Sequence, residues 1–376
     1  MGEKEEKNLT DPYSFARVVS ALAVFLLHFD VFCNMFGFGP DKTNHFFRIA
    51  GHGAVWVFFF LSGFFNIRGF LGNDPLYPLT RKGVFAFYKK RFLRMVLPAW
   101  CFIFISLSVS EPAFVALHPE TLINFITCTY TGDPGCSSIA AVWYVSSLAW
   151  LYLLTPFAAY IIRALYNKDG RWQVILSLIL LTGLGLAERL VLLWLRADWT
   201  QEVFVPFYCN IDIYLCGALS YILCTRTGNK KGNKLCYILS LIIVPLILLI
   251  HSRINYLSDA AKMYKIIYGY IMPSVYIVVM TIFTLMAENT GYRYEKAGIS
   301  TIRRNPCRVI DLLSSISFEI YLVHSMVLFQ LSFLIHEDTA KTFRLRLLLL
   351  GVPVTLVFAY LLHRMTYIDN KNRAEN

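Results

Sequence analysis

The sequence predicts an all-α polytopic membrane protein with about ten transmembrane helices. Of its 376 residues, 57% are hydrophobic and only 16% are charged, and the mean hydropathy is +0.54. Soluble proteins carry about 25% charged residues, so most of this chain is suited to contact lipid. A helix crosses the hydrocarbon core with about 20 apolar residues. Runs of this kind lie at about 14–33, 52–70, 93–110, 141–163, 173–195, 203–224, 235–251, 266–286, 310–334 and 344–364.

The connections between these runs are short and polar, and several contain Gly or Pro. None is long enough for a separate soluble domain, and no internal repeat is visible. The chain 1–376 is therefore predicted to be one membrane domain with short cytoplasmic tails at 1–13 and 365–376.

The positions of Lys and Arg predict the orientation of the chain. With the N-terminus inside, the inner segments hold 24 of the 35 basic residues and the outer segments hold nine. The outer connection from Glu111 to Ala140 contains no Lys or Arg. The protein is thus predicted to lie in a cell membrane with both termini in the cytoplasm. Topology also explains the net charge of +11, so nucleic acid is not expected as a partner.

The first predicted helix carries two ionisable residues, Arg17 and His28. Eleven helical residues return to within about 20° of the same face and rise about 16 Å. Ionisable side chains inside a membrane usually mark a functional site. The alternative is that Arg17 reaches the inner headgroups and His28 hydrogen-bonds a neighbouring helix.

A basic run precedes the third predicted span and contains Lys89, Lys90, Arg91 and Arg94, followed by Pro98. On an α-helix Arg91 and Arg94 would project from one face, where two guanidiniums suit the capture of phosphates. Such clusters also commonly hold a helix against anionic lipid, and this alternative stays open.

Nine cysteines are present, and no His/Cys cluster has the spacing of a metal site, so no metal is predicted. Cys128 and Cys136 both lie in the long outer connection. They could form a disulfide if that face is oxidising, although their spacing alone does not show it.

Four motifs in chain order resemble the acyltransferase-3 family of integral-membrane O-acyltransferases, and the resemblance covers almost the whole chain. The motifs are Arg-x10-His (Arg17, His28), the second-helix signature 57–64 with Ser62, Arg-x-x-Arg-x-x-x-Pro (Arg91, Arg94, Pro98) and the late Tyr-Leu-x-His segment (Tyr321, His324).

The resemblance implies transfer of an acyl group, commonly acetyl, from cytoplasmic acyl-CoA to a hydroxyl of a sugar, often in a cell-surface glycan precursor. It implies that His28 is the catalytic base and Arg17 its companion. Arg91 and Arg94, beside Lys90, would bind the coenzyme phosphates.

One stretch departs from family members that carry an esterase-like domain. Those members tend to have Trp-Ser-Leu-x-x-Glu in the fourth helix, where this chain has Trp143, Tyr144 and, in place of the Glu, Leu148. The stretch is closer to the stand-alone members of the family. Trp143, Tyr144 and Ser62 are retained as further candidate site residues.

Counting from the inner helix ends places His28 and His324 at the same depth, about 14 residues or roughly 21 Å. Asp212 falls near that depth too. An acid beside His28 would orient the imidazole, and the sequence leaves Asp212 and Glu319 as alternatives. His324 has the further alternative of a packing role.

A second class of function is a transporter or flippase for an acylated sugar or small anion. Intramembrane charges such as Glu188, Arg189 and Asp212 could line a path as well as a reaction site. Against this function, no two halves of the chain repeat.

Overall fold

A computed structural model describes residues 10–38, 46–72, 75–110, 119–130, 137–166, 170–195, 199–227, 233–256, 266–290, 308–335 and 339–372. Within these ranges every regular element is a helix, which confirms the all-α class. The α-helices are α1 (Pro12–Met35), α2 (Phe46–Leu71), α3 (Arg81–Arg91), α4 (Leu97–Ser110), α5 (Pro119–Ile126), α6 (Trp143–Leu165), α7 (Arg171–Trp194), α8 (Ile211–Thr227), α9 (Lys234–Tyr256), α10 (Met272–Glu288), α11 (Arg308–Ser315), α12 (Ser317–Leu334) and α13 (Ala340–Asn372).

Nine helices in the described part of the chain are long and apolar enough to cross a membrane. The sixth predicted span, 203–224, differs from the others. Its helix α8 has only 17 residues and follows a π-helical turn at Trp199–Phe204 and a 3-10 turn at Tyr208–Asn210. The protein is therefore polytopic as predicted, and in the described part of the chain the short helix α8 packs against the long helices α2, α6, α7 and α10.

The irregular start of the sixth span has a local cause in Pro206. Proline has no N–H to donate and disfavours helix at the residue before it, so a helix cannot run through from Val203. The carbonyls released by this break are bonded by side chains. Asn210 Nδ2 donates to Phe204 O and Pro206 O, each at 2.9 Å, and Ser147 Oγ donates to Val205 O at 2.6 Å. Irregular backbone at membrane depth is tolerated only when its polar groups are satisfied in this way.

Helix α2 is the central helix of the bundle. Of its membrane-spanning stretch 72% is buried inside the protein, the highest share among the nine long helices. Two glycines near its start allow two neighbours to approach closely. A Cβ on Gly51 would lie 2.4 Å from Leu27 Cβ on α1, and a Cβ on Gly53 would lie 2.0 Å from the Tyr276 hydroxyl on α10.

The closest approach to α2 is made by α8. A Cβ on Gly63 would lie 1.9 Å from Tyr214 O, and a Cβ on Gly217 would lie 2.0 Å from Phe60 O. Small residues at a crossing let helix backbones touch inside a membrane, where packing drives association. This pair of glycines therefore explains the glycine of the second-helix signature.

Helices α1, α12 and α13 form a second packed group. The Phe32 and Phe329 rings contact each other in a tilted arrangement with centroids 5.8 Å apart, and the centroids of the Phe36 and Phe333 rings are 4.8 Å apart. The residue spacing is the same along both helices, so α1 and α12 run in parallel with their residues in register. Helix α13 packs across them, with Phe343 stacked on Phe36 at 6.2 Å.

Segments that were predicted to lie on the inner side contact one another. The Tyr13 hydroxyl bonds Glu288 Oε1 at 2.9 Å, and Arg68 Nη1 lies 3.4 Å from the same carboxylate. Thr10 N donates to the Tyr237 hydroxyl at 3.1 Å. These contacts agree with the predicted grouping of helix ends, whereas the assignment of that group to the cytoplasm stays a prediction. Cys136 lies outside the described residues, so the pairing with Cys128 also stays a prediction.

The crossing of α2 and α8 gives a stability prediction. We expect Gly63→Ala to lower the unfolding temperature of the detergent-purified protein, because its methyl group would meet a backbone carbonyl that has little room to move; overpacking of this kind costs about 1–3 kcal/mol. Gly183→Ala on α7 is the matched control, since a Cβ there meets no atom within 4 Å. Equal unfolding temperatures for the two variants would contradict the tight crossing.

Candidate active site

The two histidines that the sequence places at the same depth contact each other. His28 Nδ1 and His324 Nε2 are 3.1 Å apart, with ring centroids 4.7 Å apart in an edge-to-face arrangement. The register of α1 against α12 produces this contact, because His28 and His324 occupy matching positions on two parallel helices. His324 is 1% exposed and His28 is half-buried.

The hydrogen bonds of the pair assign the protons on both rings. His324 Nδ1 lies 3.1 Å from Ile320 O, and His28 Nδ1 lies 3.0 Å from Val24 O. A carbonyl only accepts, so both Nδ1 atoms carry hydrogen. The single Nδ1 hydrogen of His28 is then shared between Val24 O and the lone pair of His324 Nε2 in a three-centre bond. The remaining lone pair on His28 is at Nε2, which is the nitrogen suited to act as a base.

Aromatic rings connect this pair to two other predicted site residues. The Tyr321 ring lies 5.7 Å from the His324 ring and 5.0 Å from the Tyr144 ring. The Tyr144 hydroxyl lies near the side chain of Ser62 on α2. A continuous series of contacts thus runs from His28 through His324, Tyr321 and Tyr144 to Ser62. The remaining member of that group, Trp143, packs instead on Phe204 at 4.9 Å beside the irregular start of the sixth span.

Asp212 is engaged away from the histidine pair. Both of its carboxylate oxygens accept from Arg189 Nη2, at 2.7 and 2.6 Å, and the same nitrogen donates to Cys209 O at 3.2 Å. Arg189 is 1% exposed. A Cβ on Gly185 would lie 1.9 Å from Asp212 Oδ2, so this glycine makes room for the carboxylate. The ion pair joins α7 to the start of α8.

Glu319 has a different partner as well. Its Oε1 accepts from His363 Nδ1 on α13 at 2.8 Å, and the carboxylate is buried. Neither carboxylate is among the hydrogen-bond partners of His28 in the described part of the chain, so the expectation that Asp212 or Glu319 orients this imidazole stays a prediction. The side chain that contacts His28 is His324.

The predicted basic residues meet α2 well below the histidine pair. The Arg17 guanidinium lies 4.5 Å from the Phe65 ring, and Arg91 Nη2 donates to Asn66 Oδ1. Phe65 and Asn66 are consecutive, so the two guanidiniums meet α2 at the same depth. We call Arg17 and Arg91, together with Lys90 and Arg94 next to Arg91 in the chain, the basic layer. Helix α1 is continuous from Arg17 to His28, so this layer lies about 16 Å from the histidine pair along the helix axis.

Arg91 and Arg94 do not share a face as the sequence pattern predicts. A π-helical turn at Phe92–Val96 lies between α3 and α4, with the Leu97 N–H bonded to Phe92 O. Pro98 removes the donor for the Arg94 carbonyl, and wider turns of this kind commonly precede a proline and mark functional sites. As a result Arg91 is half-buried, whereas Arg94 is exposed. Lys90 is also exposed, with Nζ 5.6 Å from the Tyr77 ring.

A cavity of about 430 Å³ lies elsewhere, between α6, α7 and α8. Aliphatic side chains form most of its wall, including Leu151, Leu181 and Leu215, and the Tyr214 ring forms part of it. None of the predicted catalytic or coenzyme residues lines it. It is a groove that opens sideways between helices, and it is suited to a lipid chain rather than to polar chemistry.

Sequence reasoning missed three residues that the structure places beside predicted ones. Asn66 bonds Arg91, Tyr321 contacts His324 and His363 bonds Glu319. Tyr321 stands within a quoted motif, so its role could have been anticipated. The pairing partners Asn66 and His363 carry no signal in one sequence, because they depend on which helices pack together.

A comparison with protein-family models matches residues 13–364 to the acyltransferase domain called Acyl_transf_3. The chain belongs to the acyltransferase-3 family. Comparisons with curated proteins and with solved structures gave no match. The protein is accordingly a multi-pass membrane acyltransferase, and the match includes every residue of the histidine pair and the basic layer.

The buried ion pair of this acyltransferase gives a second prediction. We expect Arg189→Met to lower the unfolding temperature strongly, because removing one partner of a buried pair costs about 3–5 kcal/mol. The double variant Arg189→Met with Asp212→Leu should recover much of that loss, since no unpaired charge remains. Arg171→Met, at the exposed start of the same helix, is the control.

Thermal unfolding and acyl transfer should be measured together on these variants. An Asp212→Asn protein that unfolds like the wild type but has lost turnover would show that Asp212 belongs to the catalytic machinery and not to the helix contact.

Proposed function

We propose that the protein moves an acyl group, most simply acetyl, from cytoplasmic acyl-CoA to a hydroxyl of a sugar or cell-surface glycan precursor, with His28 as general base. The observation that carries this proposal is the bond between His28 and His324 in a member of an acyltransferase family. It leaves a lone pair on His28 Nε2, deep in the membrane domain and on the same helix as a basic layer nearer the predicted cytoplasmic side.

The chemistry needs a base because a hydroxyl is a weak nucleophile at neutral pH. His28 Nε2 takes the hydroxyl proton while the hydroxyl oxygen attacks the thioester carbonyl. The new C–O bond forms, the C–S bond breaks, and the proton passes from His28 to the departing coenzyme A thiolate. The products are an ester and free coenzyme A, and His28 returns to its neutral form.

His324 supports this step from the other side of the ring. When His28 becomes an imidazolium, its Nδ1–H points to the lone pair of His324 Nε2 and the positive charge is shared across the bond. His324 also holds His28 in the tautomer whose Nε2 is free to accept a proton. An orienting partner of this kind typically changes activity by about 10–100-fold.

The basic layer supports binding of the coenzyme. Arg91, Arg94 and Lys90, which form the mouth of the site, would contact the coenzyme phosphates. Arg17 meets α2 at the depth of Arg91. The phosphates would stay in this layer while the long pantetheine arm spans the remaining distance to His28. Arg17 then serves His28 indirectly, by holding the donor rather than by touching the imidazole.

The fourth-helix stretch supports a stand-alone member of the family, of which the O-acetyltransferase of enterobacterial common antigen is an example. A multi-pass protein with this chemistry fits the plasma membrane of a cell that decorates surface sugars. The acceptor then approaches the His28 level from the outer side or from a lipid carrier.

A transporter or flippase is the competing function. It drew support from the intramembrane charges, but the described contacts give those charges local partners. Arg189 is bonded to Asp212, and Glu319 is bonded to His363. Pairs between neighbouring helices hold a bundle together and need no transport path to explain them.

Release of free coenzyme A separates the two functions. Purified protein given labelled acetyl-CoA and a glycan-precursor extract should release coenzyme A, and His28→Ala should lower the rate by about 10²–10⁴-fold because the base is gone. His324→Leu should lower it by about 10–100-fold. His324→Gln should retain more activity than His324→Leu, because its amide oxygen can accept from His28 Nδ1–H.

Each variant needs an unfolding temperature close to the wild type for this comparison to count. Retention of more than about a tenth of the wild-type rate in His28→Ala would disprove the assignment of the base.

The sidedness of the reaction gives a further prediction. The outer connection from Glu111 to Ala140 has no basic residue, whereas the basic mouth lies on the predicted inner side, so an anionic donor is drawn to the inner side. In sealed vesicles of one orientation, membrane-impermeant acyl-CoA should support turnover only from the cytoplasmic face. Equal turnover from both faces would rule out this route of entry.

A further inference from the structure

Arg91 is held by a chain of buried side chains that no motif marks. Its Nη2 donates to Asn66 Oδ1, and Asn66 Nδ2 donates to the Tyr214 hydroxyl at 2.8 Å. The Tyr214 hydroxyl lies 2.5 Å from Thr155 Oγ1, which itself bonds Leu151 O at 3.0 Å. Asn66, Tyr214 and Thr155 are all at most 2% exposed. Three membrane helices, α2, α6 and α8, contribute to this chain.

The direction of every bond in the chain is determined. Thr155 has one hydroxyl proton and gives it to a carbonyl, so Tyr214 must donate to Thr155. Tyr214 then accepts from Asn66, which turns the amide nitrogen of Asn66 towards α8 and its oxygen towards Arg91. Arg91 can only donate, so the amide orientation required at that end is the same. Buried networks that are satisfied in one direction rigidify their members.

Two aromatic rings complete the setting of Arg91. Its guanidinium carbon lies 5.0 Å from the Tyr152 ring and 5.3 Å from the Phe87 ring. The Nε atom is buried and has no hydrogen-bond partner among the described residues. The guanidinium plane is therefore fixed by Asn66 and by the rings, while Nη1 makes no hydrogen bond to the described residues and is the donor that an anionic oxygen would meet.

We propose that Asn66, itself oriented by Tyr214 and Thr155, is a positioning residue that aims Arg91 at a phosphate oxygen of the acyl-CoA. This inference rests on the proposed function and assigns different roles to the two arginines at the mouth. Arg91 recognises the phosphate through a fixed fork, whereas the exposed Arg94 acts as a point charge. An ammonium can replace a point charge but cannot replace an oriented fork.

The test compares two donors, acyl-CoA and acyl-pantetheine, which carries the same thioester without phosphates or nucleotide. Asn66→Leu should raise KM for acyl-CoA about tenfold, as expected for one lost charge-assisted contact, with kcat little changed. Its turnover with acyl-pantetheine should stay at the wild-type level. Arg91→Lys should behave like Asn66→Leu, whereas Arg94→Lys should raise KM for acyl-CoA by a smaller factor, because an ammonium can replace a point charge.

Tyr214→Phe keeps the buried ring and removes only the hydroxyl that orients Asn66, so it decides the matter if Asn66→Leu fails to fold. It should raise KM for acyl-CoA in the same direction. Tyr166→Phe is the matched control, because its hydroxyl bonds Ser177 at 2.6 Å outside this chain. It should leave KM for acyl-CoA and turnover with acyl-pantetheine unchanged.

The possible outcomes separate this inference from the function on which it rests. No coenzyme A release by the wild type would remove the proposed function itself. If Arg91→Ala weakens the use of acyl-CoA but Asn66→Leu and Tyr214→Phe do not, the function stands and the positioning role is wrong. An equal loss with acyl-CoA and acyl-pantetheine in Asn66→Leu would also overturn it, because a general packing defect affects both donors alike.

Discussion

The close crossing of α2 and α8 is the contact on which the rest of the molecule depends. Without a Cβ at Gly63 and Gly217 the two backbones touch, each glycine resting against a carbonyl of the other helix. This approach brings Tyr214 within reach of Asn66, and through Asn66 it sets the guanidinium of Arg91. Within a bilayer, where lipid chains are as apolar as the side chains, such close packing is a main source of helix association. The same contact therefore stabilises the bundle and positions Arg91, which in the proposed function binds the coenzyme.

The buried charged side chains of Arg189 and Glu319 pair with partners on neighbouring helices. Arg189 faces Asp212 where the irregular start of the sixth span meets α7, and Glu319 faces His363 where α12 meets α13. Each pair joins two helices that are consecutive in the chain, α7 with α8 and α12 with α13. The histidine pair is different in kind, because within the described residues its hydrogen bonds are to backbone carbonyls and between the two rings, and none is to a carboxylate. Two neutral imidazoles form a site that can accept a proton, whereas an imidazole already paired with a buried carboxylate would favour the cationic form.

The sequence predicts much of this architecture, and the failures have particular causes. Hydropathy locates nine long helices, and counting residues from the inner ends places His28 level with His324, which the contact between their rings confirms. Hydropathy fails at the sixth span because Val203 to Leu223 is predominantly apolar, while Pro206 breaks the helix within it. The pattern Arg91-x-x-Arg94 assumes an α-helical turn, and Pro98 replaces that turn with a wider one. Asp212 and Glu319 are candidates for the acid beside His28 only because of their expected depth. Depth does not tell which neighbouring helix supplies the partner of each carboxylate.

The separation of the basic layer from the histidine pair explains why one helix carries both. Arg17 and His28 are fixed on a single continuous helix, so the distance between them does not change when other helices move. A donor whose phosphates are held at the depth of Arg17 and Arg91 delivers its thioester at a height set by the length of its own arm. Effective concentration at the reacting atoms is gained when both ends of a substrate are positioned in this way. In the proposed function the first helix therefore sets the distance between the phosphates and the base, and the contact with His324 holds the His28 ring at that distance.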